Sequence, residues 1–122
     1  MHESLPCPTI LFRALRSAGW RSQATGEVLT VAFLLRPNED GLSVGLTFRS
    51  AVTGLRKHHG CVTLHSGRVR DIGLVPLSLP LPDNADHAAI LGLPKPDEDP
   101  VRAEDFARKL CEQARNVASD AR

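Results

Sequence analysis

Apolar residues occur in short runs separated by turn-forming residues, and the first run is the most informative. Residues 9–15 (TILFRAL) follow two prolines and are apolar on both alternating faces except at Arg13. A strand buried on both faces has this pattern, so we predict a central β-strand here. Residues 28–35 are also apolar and are followed by turn-forming residues at 37–41, which predicts a second strand.

The middle of the chain predicts one helix and three further strands. Apolar residues between positions 46 and 55 approximate helical spacing, and Gly60 is expected to end that helix. The further strands are predicted at residues 61–64, 74–79 and 87–91.

Two of these segments carry an additional signal. Residues 66–73 are compatible either with a β-hairpin or with a short helix that Gly73 ends, and we favour the helix. Pro76 cannot donate a backbone hydrogen bond, so the strand at 74–79 is expected near a sheet edge.

The C-terminal helix is the clearest element. Residues 101–118 carry one apolar stripe at helical spacing, with Asp99 as the N-cap and Pro100 as the first helical residue. Oppositely charged residues four positions apart are expected to pair on its exposed side: Glu104 with Arg108, and Asp105 with Lys109.

These elements predict one α+β domain covering all 122 residues. Its sheet is expected to be small, mixed or antiparallel, with about four to five strands and two main helices, one of them the C-terminal amphipathic helix. Residues 1–8 are assigned to an N-terminal tail and residues 93–100 to a Pro- and acid-rich connector. A content of 42% hydrophobic and 24% charged residues is typical of a globular protein.

The net charge of +1 provides no broad positive field for a phosphate backbone, so we do not expect a nucleic-acid partner. A nucleic-acid binder would have to rely on four basic residues: Arg56, Lys57, Arg68 and Arg70.

Cysteine usage and the N-terminal sequence bear on metal binding and location. Cys7, Cys61 and Cys111 lie far apart and show no metal-ligand spacing, so we expect neither a disulfide framework nor a metal site. The N-terminus has no signal-peptide pattern, and no stretch approaches the roughly 18 apolar residues of a membrane span. We therefore expect a cytoplasmic protein without a membrane segment.

Arg13 is the first candidate site residue, because its strand places it on the same face as Leu11 and Leu15. An unpaired guanidinium in a core costs several kcal/mol. Arg13 is therefore expected either to bind a phosphate or carboxylate of a ligand, or to reach water or pair with an acidic residue such as Asp71.

Ser43 and His87 are the other two candidates. Ser43 lies between Gly41 and Gly45, so its hydroxyl either contacts a ligand close to the backbone or caps the following helix. His87 lies where a tight turn enters an apolar strand, so it either lines a shallow pocket or ties the turn to the backbone. The chain contains no GxGxxG, P-loop or HExxH motif, and we assign no cofactor and no reaction.

Four segments resemble a family of small bacterial proteins of uncharacterised activity. They are LFR at 11–13, AF leading to LSV at 32–44, SGRVRDIGL at 66–74 and PLPDNADHAAILG at 80–92. The resemblance favours the short helix after residue 66.

A more distant similarity is to ADP-ribosyltransferase-like toxin domains. In that family an early-strand Arg, a Ser at a strand start and a late acidic residue or His surround a nicotinamide dinucleotide, and Arg13, Ser43 and His87 occur in the same order. The family's late catalytic glutamate has no counterpart in this chain. The similarity implies a toxin-like, nucleotide-binding role.

The leading hypothesis is therefore a bacterial accessory or toxin-like domain. Its pocket, formed by Arg13, Ser43 and His87, would bind an anionic small molecule such as a nucleotide. The alternative is a non-catalytic interaction module whose connector or final helix docks a partner protein.

Overall fold

A computed structural model describes residues 3–4 and 9–117 and contains one antiparallel sheet and three α-helices. The strands are β1 (Glu3–Ser4), β2 (Ile10–Ala14), β3 (Leu42–Gly45), β4 (Cys61–His65), β5 (Val75–Ser78), β6 (His87–Leu91) and β7 (Arg115–Asn116). The helices are α1 (Phe48–Val52), α2 (Ser66–Asp71) and α3 (Pro100–Gln113), and two 3-10 helices span Ala18–Trp20 and Thr30–Phe33.

The sheet has the strand order β1-β5-β6-β3-β2-β4-β7, and every neighbouring pair is antiparallel. The predicted α+β class is confirmed. With seven strands the sheet is larger than the four to five expected, because it gains β3 and the two-residue strands β1 and β7.

The core lies on one face of the sheet. Alternate residues of β2, among them Leu11, point to this face, and α3 packs there against the 3-10 helix at Thr30–Phe33. The largest fully buried side chains include Phe33, Leu11, Leu15, Leu42, Leu64, Leu74, Ile90 and Leu110. On the opposite face, α1 packs against β2 and β3.

The predicted strand at 28–35 is wrong, because Thr30–Phe33 is a 3-10 helix. Ala32 and Phe33 are both fully buried, although adjacent residues of a strand would point to opposite faces of a sheet. The tighter turn brings both side chains into the core beside α3, while Leu29 and Val31 remain exposed. An apolar run thus indicated burial correctly and conformation incorrectly.

The helix predicted between 46 and Gly60 is much shorter in the structure. Thr47 caps α1, with its Oγ1 accepting a hydrogen bond from the Ser50 amide at 3.0 Å. The helix ends at Val52, because Gly54 has a positive φ of 83° and turns the chain away before Gly60.

The remaining predicted elements are confirmed with small changes. Strands β2, β4, β5 and β6 lie where they were expected, and residues 66–71 form the short helix α2 rather than a hairpin. His65 caps α2, since its Nδ1 accepts from the Gly67 amide at 3.1 Å. Strand β5 is not the outermost strand, because β1 pairs with its Leu77 and Ser78.

Helix α3 begins as predicted, with the Asp99 side chain accepting from the Arg102 amide at 3.2 Å and Pro100 in the first turn. It ends at Gln113 rather than 118, because Arg115–Asn116 pair with β4, and residue 118 lies outside the described residues. Asp105 pairs with Lys109 at 3.1 Å as expected. It also pairs with Arg108, which was expected to pair with Glu104.

No helix in the described part of the chain is both long and apolar enough to cross a membrane.

The 3-10 helix at Thr30–Phe33 generates a stability prediction. Phe33→Ala removes a fully buried ring and should lower the free energy of unfolding by about 3–5 kcal/mol in urea titrations followed by circular dichroism. The matched control Val31→Ala changes a residue of the same helix that is 41% exposed, so it should cost less than about 1 kcal/mol. Equal losses for the two variants would contradict this packing.

Candidate functional site

The imidazole of His87 is held by its own hairpin. His87 begins β6, directly after the turn that joins β5 to β6, and its Nδ1 lies 2.9 Å from the Leu79 carbonyl oxygen. A carbonyl oxygen only accepts hydrogen bonds, so Nδ1 carries the proton. The Leu79 amide in turn donates to the His87 carbonyl at 3.0 Å. The turn and the ring are therefore fixed together.

Ser43 completes the contact on the neighbouring strand. In the β3–β6 register Gly45 pairs with His87 and Ser43 with Ala89, which places the Ser43 and His87 side chains on one face of the sheet. The Ser43 Oγ lies 2.9 Å from His87 Nε2. Because Nδ1 holds the proton of the neutral ring, Nε2 is the acceptor and the Ser43 hydroxyl donates to it.

Gly45 allows α1 to pack directly beside this pair. A Cβ at Gly45 would lie 2.4 Å from the Ala51 amide nitrogen and 2.8 Å from the Ser50 Oγ, so only glycine fits without displacing α1. The space beside Gly45, on the glycine-flanked face of β3, is therefore occupied by α1. The expectation that Ser43 caps the following helix is wrong, because Thr47 performs that role.

A cavity of about 200 Å³ opens beside Ser43 and His87. Its other lining residues are Arg16, Ser50, Ala51, Thr53, Leu55, Leu81, Asp83 and Asn84. Ser50 and Asn84 brace the wall: the Ser50 Oγ donates to Asn84 Oδ1 at 2.7 Å, and Asn84 Nδ2 donates to the Ser50 carbonyl at 2.9 Å. These two hydrogen bonds connect α1 to the β5–β6 turn on the wall of the cavity.

Arg16 supplies positive charge to the cavity. The residue is half-buried and, within residues 3–4 and 9–117, makes no hydrogen bond or ion pair. Asp83 lines the same cavity with the opposite charge. Arg16 is not predicted from the sequence, because it lies in a polar segment after β2 that has the composition of an exposed loop.

Arg13 lies on the other side of the sheet. Phe12 pairs with Gly45 and so shares the face of Ser43, which puts the neighbouring Arg13 side chain on the core face. It is 3% exposed, and it donates from Nε to the Ala32 carbonyl at 3.1 Å and from a terminal nitrogen to the Ser43 carbonyl at 2.7 Å. Its guanidinium lies 5.2 Å from the centre of the Trp20 ring.

Arg13 therefore touches Ser43 only through the main chain and does not line the cavity. Its partners are carbonyl oxygens and an indole ring rather than Asp71. Burial, with a smaller contribution from nearby Arg16, lowers the pKa of Arg13 to about 9, so the guanidinium remains charged at neutral pH. Of the three predicted residues, the structure brings two side chains together.

A second cavity, of about 490 Å³, lies between α3, β4 and β7. Its lining includes Glu27, Arg108, Cys111, Glu112 and Arg115, which carry both signs of charge. Burial, reinforced by the nearby carboxylates of Glu104 and Glu112, raises the pKa of the Cys111 thiol to about 11. The thiol is protonated at neutral pH and is a poor nucleophile there.

Within the described part of the chain, no three His, Cys, Asp or Glu side chains lie together in an arrangement that could hold a metal ion.

Comparison with known proteins returns no relative: no protein-family model, no curated protein and no solved structure matches this chain. The family resemblances of the sequence therefore stay predictions.

The bonds of Arg13 predict a large structural effect. Arg13→Met keeps much of the apolar volume but removes two charge-assisted hydrogen bonds, so the free energy of unfolding should fall by about 3–6 kcal/mol. The matched control Arg16→Met, in the cavity, should stay within about 0.5 kcal/mol of the parent. Urea titration measures the free energy of unfolding of both variants. An Arg13→Met protein as stable as the parent would contradict the structural role of Arg13.

The raised pKa of Cys111 predicts slow alkylation. At pH 8 about one Cys111 thiol in a thousand should be ionised, so modification by iodoacetamide should remain slow and should accelerate up to about pH 11. Peptide mass spectrometry follows the site, and a synthetic peptide of residues 108–114 is the unfolded control. Equal rates for protein and peptide at pH 8 would show that the thiol is not shielded.

Proposed function

We propose that the cavity beside Ser43 and His87 binds a small molecule carrying a phosphate or carboxylate group. The observation that carries this proposal is the position of Arg16, a half-buried guanidinium that lines the cavity and has no carboxylate partner among the described residues. A guanidinium binds either anion with two parallel hydrogen bonds.

The volume limits the ligand. Pockets for drug-sized molecules typically measure about 300–1,000 Å³, so a cavity of about 200 Å³ accommodates a small acid or the phosphate end of a nucleotide. A bound nucleotide would extend its base toward solvent. Asp83 adds selectivity, because it repels an anion that is not centred on Arg16.

The Arg13 guanidinium has a different part in this proposal from the one expected. Through the Ser43 carbonyl it supports the strand that presents Ser43, so it acts from behind the site. The alternative function, a protein-interaction module, has less support, because the apolar stripe of α3 is buried inside the domain through Ala103, Ala107 and Leu110.

The test is a calorimetric titration with inorganic phosphate, succinate, AMP and NAD at low ionic strength. Arg16→Gln should weaken binding of the tightest ligand about 10–100-fold, which corresponds to the loss of one charge-assisted contact. The matched control Arg102→Gln removes an exposed guanidinium on α3 and should bind like the parent.

Two results would overturn the proposal. One is a parent protein that binds none of the four probes. The other is an Arg16→Gln variant that binds as tightly as the parent, because the charge in the cavity would then play no part.

A further inference from the structure

We infer that Ser43 and His87 form a nucleophile–base pair that hydrolyses small esters with a negatively charged acyl group. This inference rests on the proposed function, which supplies the anion site at Arg16, and adds a reaction to it. Ser43 and His87 are 44 positions apart and meet through the β3–β6 register. Ser43 is the serine of a Gly-x-Ser-x-Gly sequence at 41–45, but it lies inside strand β3 rather than on the strand-to-helix turn of a nucleophile elbow.

The geometry contains the three parts that such a pair needs. The Ser43 Oγ and His87 Nε2 are 2.9 Å apart, within the range for proton transfer from a nucleophile to its base. The Leu79 carbonyl, 2.9 Å from Nδ1, fixes the tautomer in which Nε2 is free to accept that proton. A carbonyl thus has the orienting role that a carboxylate has in a Ser-His-Asp triad.

The pair is rigid before any substrate arrives. His87 and Ser43 lie on adjacent hydrogen-bonded strands, and the Leu79 amide also donates to the His87 carbonyl. On the same face of the sheet, α1 packs against Gly45 and prevents β3 from moving toward it. Groups held by strands and main-chain bonds keep the precise spacing that catalysis requires better than groups on loops.

The pair is also accessible, which separates it from a purely structural hydrogen bond. Ser43 and His87 are half-buried and both line the cavity that contains Arg16. An ester carbonyl placed in that cavity meets the hydroxyl on one side, while the acyl carboxylate is held by the guanidinium.

The reaction balances with water as the only co-reactant. The Ser43 Oγ attacks the ester carbonyl carbon and its proton moves to His87 Nε2. The bond from that carbon to the alcohol oxygen then breaks, and the leaving alcohol takes the proton from Nε2. Water attacks the acyl-serine, gives a proton to Nε2 and releases the acid, while the Ser43 Oγ regains its proton.

The replacement of a carboxylate by the Leu79 carbonyl predicts slow turnover. A neutral carbonyl stabilises the imidazolium less than a carboxylate does, so the proton transfer is less favourable. Covalent labelling of the nucleophile is therefore a sharper test than turnover alone.

The first experiment treats the full chain with a fluorophosphonate probe and maps the adduct by peptide mass spectrometry. We expect one adduct, on Ser43. His87→Gln should slow labelling at least 100-fold, because glutamine retains a polar group but cannot take up the proton. His59→Gln, outside the cavity lining, is the matched control and should label at the parental rate.

The second experiment compares hydrolysis of p-nitrophenyl acetate with that of p-nitrophenyl hydrogen succinate. The parent should favour the succinate ester about 10-fold or more in kcat/KM. Arg16→Gln should lose this preference, which assigns the anion preference to Arg16.

The outcomes separate the two proposals. A parent that binds succinate in calorimetry but leaves Ser43 unlabelled overturns the nucleophile–base pair and leaves the binding function standing. A parent that labels on Ser43 but binds no anion overturns the binding function and the anionic substrate class. Labelling on Ser43 that His87→Gln does not slow overturns the role of His87.

Discussion

A guanidinium inside a protein core must find hydrogen-bond acceptors, and in this fold the acceptors of Arg13 determine how three elements meet. Its side chain joins the carbonyl of Ala32, in the 3-10 helix, to the carbonyl of Ser43, in β3. The Trp20 ring lies against the same guanidinium. One buried guanidinium thus connects the 3-10 helix in the core to β3, and the opposite face of β3 carries the candidate site.

The local elements of this fold could be predicted where short-range chemistry specifies them. Strand β6 has the predicted bounds, because the turn before it and Gly92 after it limit it on both sides. The start of α3 follows from Asp99 and Pro100. The run at 28–35 was misjudged, because burial alone does not distinguish a strand from a tight helical turn.

The site shows the same division between local and long-range information. Isolated polar residues in apolar surroundings pointed to Ser43 and His87, and the structure brings their side chains into contact. Whether Arg13 would join them depended on which residues of β2 and β3 pair, because this pairing decides which faces of the two strands coincide. Arg16 could not be predicted in the same way. The cavity that it lines is formed by β3, α1 and the β5–β6 turn, and the polar segment around Arg16 contains no pattern that indicates this cavity.

The absence of a Cβ atom at Gly45 has a consequence for recognising relatives of this protein. Helix α1 lies so close to the backbone of Gly45 that there is no room for a Cβ atom. The glycine of the Ser-x-Gly pattern in β3 is therefore required by the position of α1, which follows it in the chain. A relative that keeps Ser43 and His87 but carries a larger residue at 45 must have moved α1, and with it the Ser50–Asn84 contact. Glycine at this position is therefore a better marker of a shared site architecture than either polar residue alone.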